Sequence, residues 1–222
     1  MRKLVFLMVA ALMLMATAAF ARGKSSSGAP KENSLSIGLA QGTNEYSSGQ
    51  VTAGYLDPPG TIPELGVALE YNNKMAADYQ LAVGFDYLWG SEKSTPTSAA
   101  APGAPDVKIT SASWKIRLGG DRIGSIGDRF TWFFGPGLEY WSGKPKFDNV
   151  FAAGSQDGLT TTKWGINGRV GGVMWMNPKM GIFGRVGDSF GSAATEEKQG
   201  GKNTWWYSNF EAAWGLRFKL GG

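Results

Sequence analysis

Any chemistry in this chain rests on carboxylates, ammonium and guanidinium groups, because its 222 residues include neither histidine nor cysteine. That excludes Ser-His-Asp and Cys-His catalysis, thiol nucleophiles, disulfides, haem ligation by histidine and Cys/His zinc sites. The charges that stand out are Glu64, Glu70, Asp86, Glu139 and Glu211 against Lys115, Arg117, Lys163, Arg169, Arg185, Arg217 and Lys219. Glu64 and Glu70 lie six apart on one extended segment, about 20 Å at ~3.4 Å per residue, too far for joint acid–base work. Gly135-Pro136-Gly137 and Gly119-Gly120 precede no helix, so they do not read as phosphate loops. Glu196-Glu197 reads as a solvated loop tip rather than a cation site. No catalytic, cofactor-binding or metal-binding residue is therefore expected, and the chain reads as non-enzymatic. What remains is ion pairing, with Glu70, Asp86, Glu139 and Glu211 as candidate partners of Lys115, Arg117, Arg169, Arg185 and Arg217.

The elements that must position these charges show a period of two. In 130–141, Phe130, Trp132, Phe134, Pro136, Leu138 and Tyr140 alternate with Thr131, Phe133, Gly135, Gly137, Glu139 and Trp141. In 112–119, Ala112, Trp114, Ile116 and Leu118 alternate with Ser113, Lys115, Arg117 and Gly119. Such alternation marks strands with two unlike faces. Eight segments carry it: 35–40, 64–71, 79–89, 112–119, 130–141, 163–176, 180–187 and 205–220. All the charges named above fall on one face, and the other face is apolar. The spacers alternate in length. Short links at 72–78, 120–129 and 177–179 are interleaved with long ones at 41–63, 90–111, 142–162 and 188–204. This spacing predicts an all-β fold, an eight-stranded antiparallel up-and-down barrel with tight turns at one end and long loops at the other.

Two barrels satisfy that pattern: a soluble carrier with apolar residues inside, or a transmembrane barrel with apolar residues outside. Three features favour the second. The charged face is crowded with glycine, including Gly38, Gly66, Gly84, Gly119, Gly135, Gly165 and Gly215, which suits a narrow lumen. The apolar face carries Tyr71, Tyr79, Trp89, Phe130, Tyr140, Trp164, Trp206 and Phe218 toward segment ends, as in interfacial girdles. Eight exposed apolar stripes would also make a soluble protein insoluble. Inside such a barrel the charges form either a plug of paired ions or a thin conduit with a slight basic excess. The plug is favoured because eight strands leave little free bore.

Arg2 and Lys3, the apolar run 4–20 and the small-x-small site Ala19-Phe20-Ala21 form the pattern of a cleaved export signal over 1–21. Residues 22–34 then read as a short periplasmic segment and 35–222 as the barrel. Removing Arg2 and Lys3 lowers the formal net charge from +4 to +2, and no Lys/Arg cluster suits nucleic acid. The final segment, Gly215-Leu216-Arg217-Phe218-Lys219-Leu220, resembles the C-terminal assembly signal of small bacterial outer-membrane β-barrels, and the whole pattern is similar to the eight-stranded transmembrane domain of outer membrane protein A and its porin-like relatives. Here Leu220 stands in place of a terminal aromatic residue, and Gly221-Gly222 follow. The resemblance implies residence in the bacterial outer membrane, contact with outer-membrane lipid, and recognition of Gly215, Phe218 and Leu220 by the outer-membrane assembly machinery. In a departure from the full-length namesake, no peptidoglycan-binding domain is expected to follow the barrel. The expected role is envelope structure or surface contact through the long loops. Tyr46, Tyr55, Pro58, Pro59, Phe147 and Phe151 are candidate contact residues there, or covers for the barrel mouth. A narrow channel for small or apolar solutes and a soluble secreted carrier are the alternatives.

Overall fold

The computed structural model describes residues 32–45, 61–94, 107–148, 156–157, 160–196 and 202–220. The expected export signal, the first part of the 22–34 segment, and Tyr46, Tyr55, Pro58, Pro59, Phe151 and Glu197 lie outside them. Eight long strands are present: β1 Asn33–Glu45, β2 Thr61–Ala76, β3 Tyr79–Ser94, β4 Val107–Ile126, β5 Phe130–Asp148, β6 Thr161–Trp175, β7 Met180–Glu196 and β8 Lys202–Leu220. A two-residue strand, Gln156–Asp157, adds to the end of β5. Each long strand pairs antiparallel with its sequence neighbours, and β1 pairs with β8, so the sheet closes on itself.

The pairing register sets the dimensions. A row of partners starting at Tyr79 passes through Arg122, Phe134, Val170, Val186, Ala212, Gln41 and Leu65. It re-enters β3 at Trp89, ten residues further along. With standard strand spacings, that shear tilts eight strands by roughly 40° and gives a backbone radius of about 8 Å. Such a bore is just filled by side chains.

Tight turns close one end. At the β4–β5 turn Gly127 has φ 60°, where a side chain would strain the backbone. At the β6–β7 turn the Asn177 side-chain oxygen accepts hydrogen bonds from the backbone N–H groups of Lys179 (2.9 Å) and Met180 (2.8 Å). The strands extend past the segments expected from the alternation, especially β4 and β5. β1 starts at Asn33, so the last two residues of the expected 22–34 segment belong to the barrel.

The two faces are the reverse of those of a soluble carrier. Leu39, Leu65, Val67, Phe85, Leu138, Ile166, Val170 and Val186 are exposed on the outside, Ile166 at 62%. Glu70, Asp86, Arg117 and Arg217 are each no more than 2% exposed, inside. Ring clusters sit on the outer face toward the long-loop end. Trp114, Tyr140 and Trp164 lie in sequence with centroid separations of 5.2 and 4.5 Å, and Phe190 stacks on Trp206 at 5.2 Å. A charge also stands among the outer apolar residues at mid-strand. Asp188 of β7 is exposed between Val186 and Phe190 and accepts hydrogen bonds from its neighbour Ser189 N–H (2.8 Å) and from the Ser208 hydroxyl (3.2 Å).

Candidate functional site

The lumen holds the densest chemistry. Toward the long-loop end the Glu64 carboxylate accepts hydrogen bonds from Asn44 (2.9 Å), Ser111 (2.7 Å) and Ser113 (2.8 Å). Lys163 donates to Asn44 Oδ1 (2.6 Å), and its Nζ lies over the rings of Trp141 (4.6 Å) and Tyr207 (5.0 Å). An ammonium between two π-faces keeps electrostatic stabilisation that burial would otherwise remove. Below this layer, Glu139 accepts from Tyr207 Oη (3.0 Å) and Ser189 Oγ (2.8 Å) and faces Lys115 at 4.0 Å. Lys115 also pairs with Glu211, which takes a second cation in Arg117 (2.7 Å).

Arg117 bridges on to Asp86 at 2.9 Å, and Arg185 approaches the same oxygen at 3.4 Å. Gly84 makes the room. A Cβ there would stand 2.7 Å from the Arg117 Nη2, so the guanidinium occupies space that a larger residue would make it shift from. Glu70 is the hub of the next layer, shared by Arg169 (2.9 Å), Arg217 (3.0 Å) and Arg185. Arg169 makes a two-pronged contact with Asp121 (2.9 and 2.8 Å), which also accepts from Gln80 (2.8 Å). Arg217 binds Ser36 (2.7 Å) and covers the rings of Phe133 (5.1 Å) and Phe183 (5.7 Å). Those rings, with Ile123, Val173 and Trp175, belong to the apolar cluster of the lumen.

The size pattern explains how so many long side chains fit. β4, β6, β7 and β8 each supply one arginine to the lumen, whereas Ala40 of β1, Ala68 of β2 and Ala213 of β8 are the small residues turned inward. The buried charges comprise six acids (Glu64, Glu70, Asp86, Asp121, Glu139, Glu211) and six bases (Lys115, Arg117, Lys163, Arg169, Arg185, Arg217). The network is therefore formally neutral, and the slight basic excess expected from the alternation is absent from it. The difference has two sources. Asp121, expected in a turn, is fully buried in β4. Lys219, expected inside, sits half-buried at the short-turn mouth, paired with Glu32 (3.2 Å) over the Trp175 ring (4.7 Å).

All nine residues expected in the charge network line the lumen: Glu70, Asp86, Lys115, Arg117, Glu139, Arg169, Arg185, Glu211 and Arg217. Sequence reasoning missed Asp121, Asn44, Ser111 and Tyr207 as members. The inward parity of 113, 115, 117 and 119 runs on through Asp121, and that continuation was the available signal. The three residues of the expected assembly signal lie on β8. Gly215 faces Gly38 across the β1–β8 seam, where an added Cβ would run into the Ile37 carbonyl and the Gly38 Cα. Phe218 and Leu220 are on the outer face near the strand end.

A second feature is a groove of about 610 Å³ on the barrel wall, bordered by Leu118, Pro136, Leu138, Ile166, Gly168 and Asp188. Beside it the β4–β5 ladder skips the rungs between Gly120-Asp121 and Gly135-Pro136, where the proline has no N–H to donate.

An apolar belt outside, ringed by aromatic residues, with ion pairs inside a closed eight-stranded ring, defines a transmembrane β-barrel. The fold is that of the small bacterial outer-membrane β-barrels. It is similar to the outer membrane protein OprG of Pseudomonas aeruginosa, at 13% identity over 86% of this chain and 97% of that one, with a TM-score of 0.56. Ail, the attachment invasion locus protein of Yersinia pestis, solved with the heparin analogue sucrose octasulfate, aligns over 86% of this chain and all of its own at 16% identity and a TM-score of 0.48. No protein-family model matches the sequence, and no curated protein matches it.

Proposed function

We propose that this chain is a non-enzymatic integral protein of the bacterial outer membrane, exported by its 1–21 segment and inserted by the outer-membrane assembly machinery, which reads Gly215, Phe218 and Leu220. Its lumen is a sealed structural core. Its work is done outside, in envelope structure or surface contact through the loops spanning 41–63, 90–111, 142–162 and 188–204. The observation that carries this reading is the balance of the lumen: six acids and six bases, each at most 7% exposed, inside a barrel of about 8 Å backbone radius. Buried charges that are paired and hydrogen-bonded close a passage, whereas a conduit needs charges left free to exchange partners with a permeant ion. Planar-bilayer recording of purified protein tests this. The expected record shows no steady open level, and a sustained single-channel conductance would transfer the assignment to the narrow channel.

A further inference from the structure

We propose that the groove on the outer wall of β4–β7 seats strand β1 of a second copy of this chain, whose Gln41 amide donates a hydrogen bond to Asp188. The inference goes beyond the outer-membrane reading above and rests on it, because both copies must share one membrane.

The groove follows a row of ladder positions. Gly120 and Pro136 occupy the rung skipped next to Gly119–Gly137, Pro136 partners Gly168, and Gly168 partners Asp188. Leu138, Ile166 and Phe190 form the bank toward the long loops. The floor is poor in side chains. The Tyr79 ring covers Gly120, and the Phe130 ring covers Gly172 outside the groove, but a Cβ at Gly168 would meet nothing within 4 Å. Asp188 closes the upper end. Both of its hydrogen bonds end on Oδ1, so Oδ2 is an unused acceptor among the described residues. Ser192, four residues along β7, is the ladder partner of Trp164 and Trp206, which sets Asp188 about 10 Å inside the ring belt. An ionisable group at that depth marks a site for a partner.

Direction and depth identify the partner. The ladder row that leaves β3 at Tyr79 returns at Trp89, so rows climb toward the long loops from β4 to β7 at roughly 40° to the membrane plane. Two copies in one orientation meet face to face with their strands leaning oppositely. A facing strand therefore stands at roughly 50° to that plane and runs within about 10° of the groove. On β1 the outward row is Ile37, Leu39 and Gln41, all exposed. From Ile37 to Gln41 it climbs about 10 Å, and from Gly120 to Asp188 the groove climbs about 9 Å. The levels match as well. Val186, Ala212 and Gln41 share a row, which puts Gln41 about 6 Å above Val186, and Asp188, two residues along β7, is about 5 Å above it. In this alignment Leu39 covers Gly168 and Ile37 lies at the Gly120 end. The Gln41 amide, which makes no hydrogen bond among the described residues, then reaches Asp188. Arg122, an outward cation of β4, stands about 15 Å nearer the short turns and pairs with Asp78 (2.7 Å), so it is not the donor. β1 lies nearly opposite β5 and β6 in the ring, so the contact is head to tail and copies line up in rows.

The test exploits the absence of native cysteine. Leu39→Cys and Gly168→Cys, both at exposed outward positions, are inserted into phosphatidylcholine vesicles separately, as a mixture, and as a double variant. Insertion is established first by the mobility shift between unheated and heated samples. The vesicles, at a high lipid-to-protein ratio, are then oxidised with copper phenanthroline. The mixture is expected to form a disulfide-linked dimer, the double variant a ladder of higher species, and each single variant neither. Adding Gln41→Leu to the Leu39→Cys chain should lower the dimer yield at least about threefold, the worth of one hydrogen bond between chains in a membrane. Adding Asp188→Leu to the Gly168→Cys chain should do the same. Equal cross-linking in the single variants and the mixture would mean random collision, and no cross-linking would leave the groove to a lipid chain. Either result would overturn the proposal. Dimers that form undiminished with Gln41→Leu would overturn the Gln41–Asp188 contact. A chain that does not insert would instead overturn the outer-membrane reading itself.

Discussion

Glu70 shows how much a single side chain can carry in this lumen. Three guanidinium groups, from Arg169, Arg185 and Arg217, converge on its two oxygens at 2% exposure. Removing one member of a buried ionic network leaves the others uncompensated, at a cost of about 3–5 kcal/mol. Glu70→Ala is therefore expected to lose that much in a reversible denaturant titration of the folded barrel, and a loss under ~1 kcal/mol would show that the arginines find other partners. Asp188 is the opposite case, a carboxylate on the apolar wall held by one hydroxyl and one N–H. Asp188→Asn keeps hydrogen-bonding capacity and removes the charge, so it is expected to raise stability in a bilayer by about 1 kcal/mol. A drop in stability would mean that the charge itself is held favourably. Gly215 acts through size. Because β1 and β8 meet backbone to backbone at Gly38 and Gly215, Gly215→Val must part the strands that close the barrel. It should lower the unfolding free energy by roughly 1–3 kcal/mol, read from the denaturation midpoint.

At the scale of the strand, one periodicity controls everything, and it explains which elements were legible. β6 alternates Trp164, Ile166, Gly168 and Val170 outward with Lys163, Asn167 and Arg169 inward, so its period of two was plain in the sequence. The strand ends were not. Past Gly119 the inward face of β4 carries Asp121 and then Ile123, and an apolar residue on the charged face hides the period, so the run 120–126 resembled a turn. Beyond the aromatic belt both faces of β4 and β5 turn polar, as at Lys108, Thr110, Ser111 and Lys144, because water replaces lipid on the outside. With that contrast gone, alternation no longer separates strand from loop, and only the ladder pairings through Lys108–Asp148 extend them. Face assignment makes an element-scale prediction. Val170, 53% exposed, faces the apolar surroundings, so Val170→Arg is expected to cost about 2–4 kcal/mol in a bilayer and much less in a detergent that lets the side chain reach water. Equal costs in both would speak against the lipid contact.

For the whole molecule, the shear of ten residues over eight strands makes the lumen narrow, and the narrowness makes pairing compulsory. The membership of the network followed from strand parity, but the partners did not, because pairings such as Arg217 with Glu70 join β8 to β2 and depend on how far the register climbs around the ring. Balance was misjudged for the same reason: it turned on Asp121 and Lys219, the residues at the strand ends. The central claim is the orientation of the wall. The natural chain has no cysteine, so single cysteines placed in turn at 164–174 can carry a nitroxide without background. In lipid bilayers, even positions are expected to show high collision rates with dissolved oxygen and odd positions low rates, a two-residue oscillation along β6. Oxygen accessibility in the opposite phase, or even positions open to a water-soluble relaxation agent across mid-strand, would contradict it.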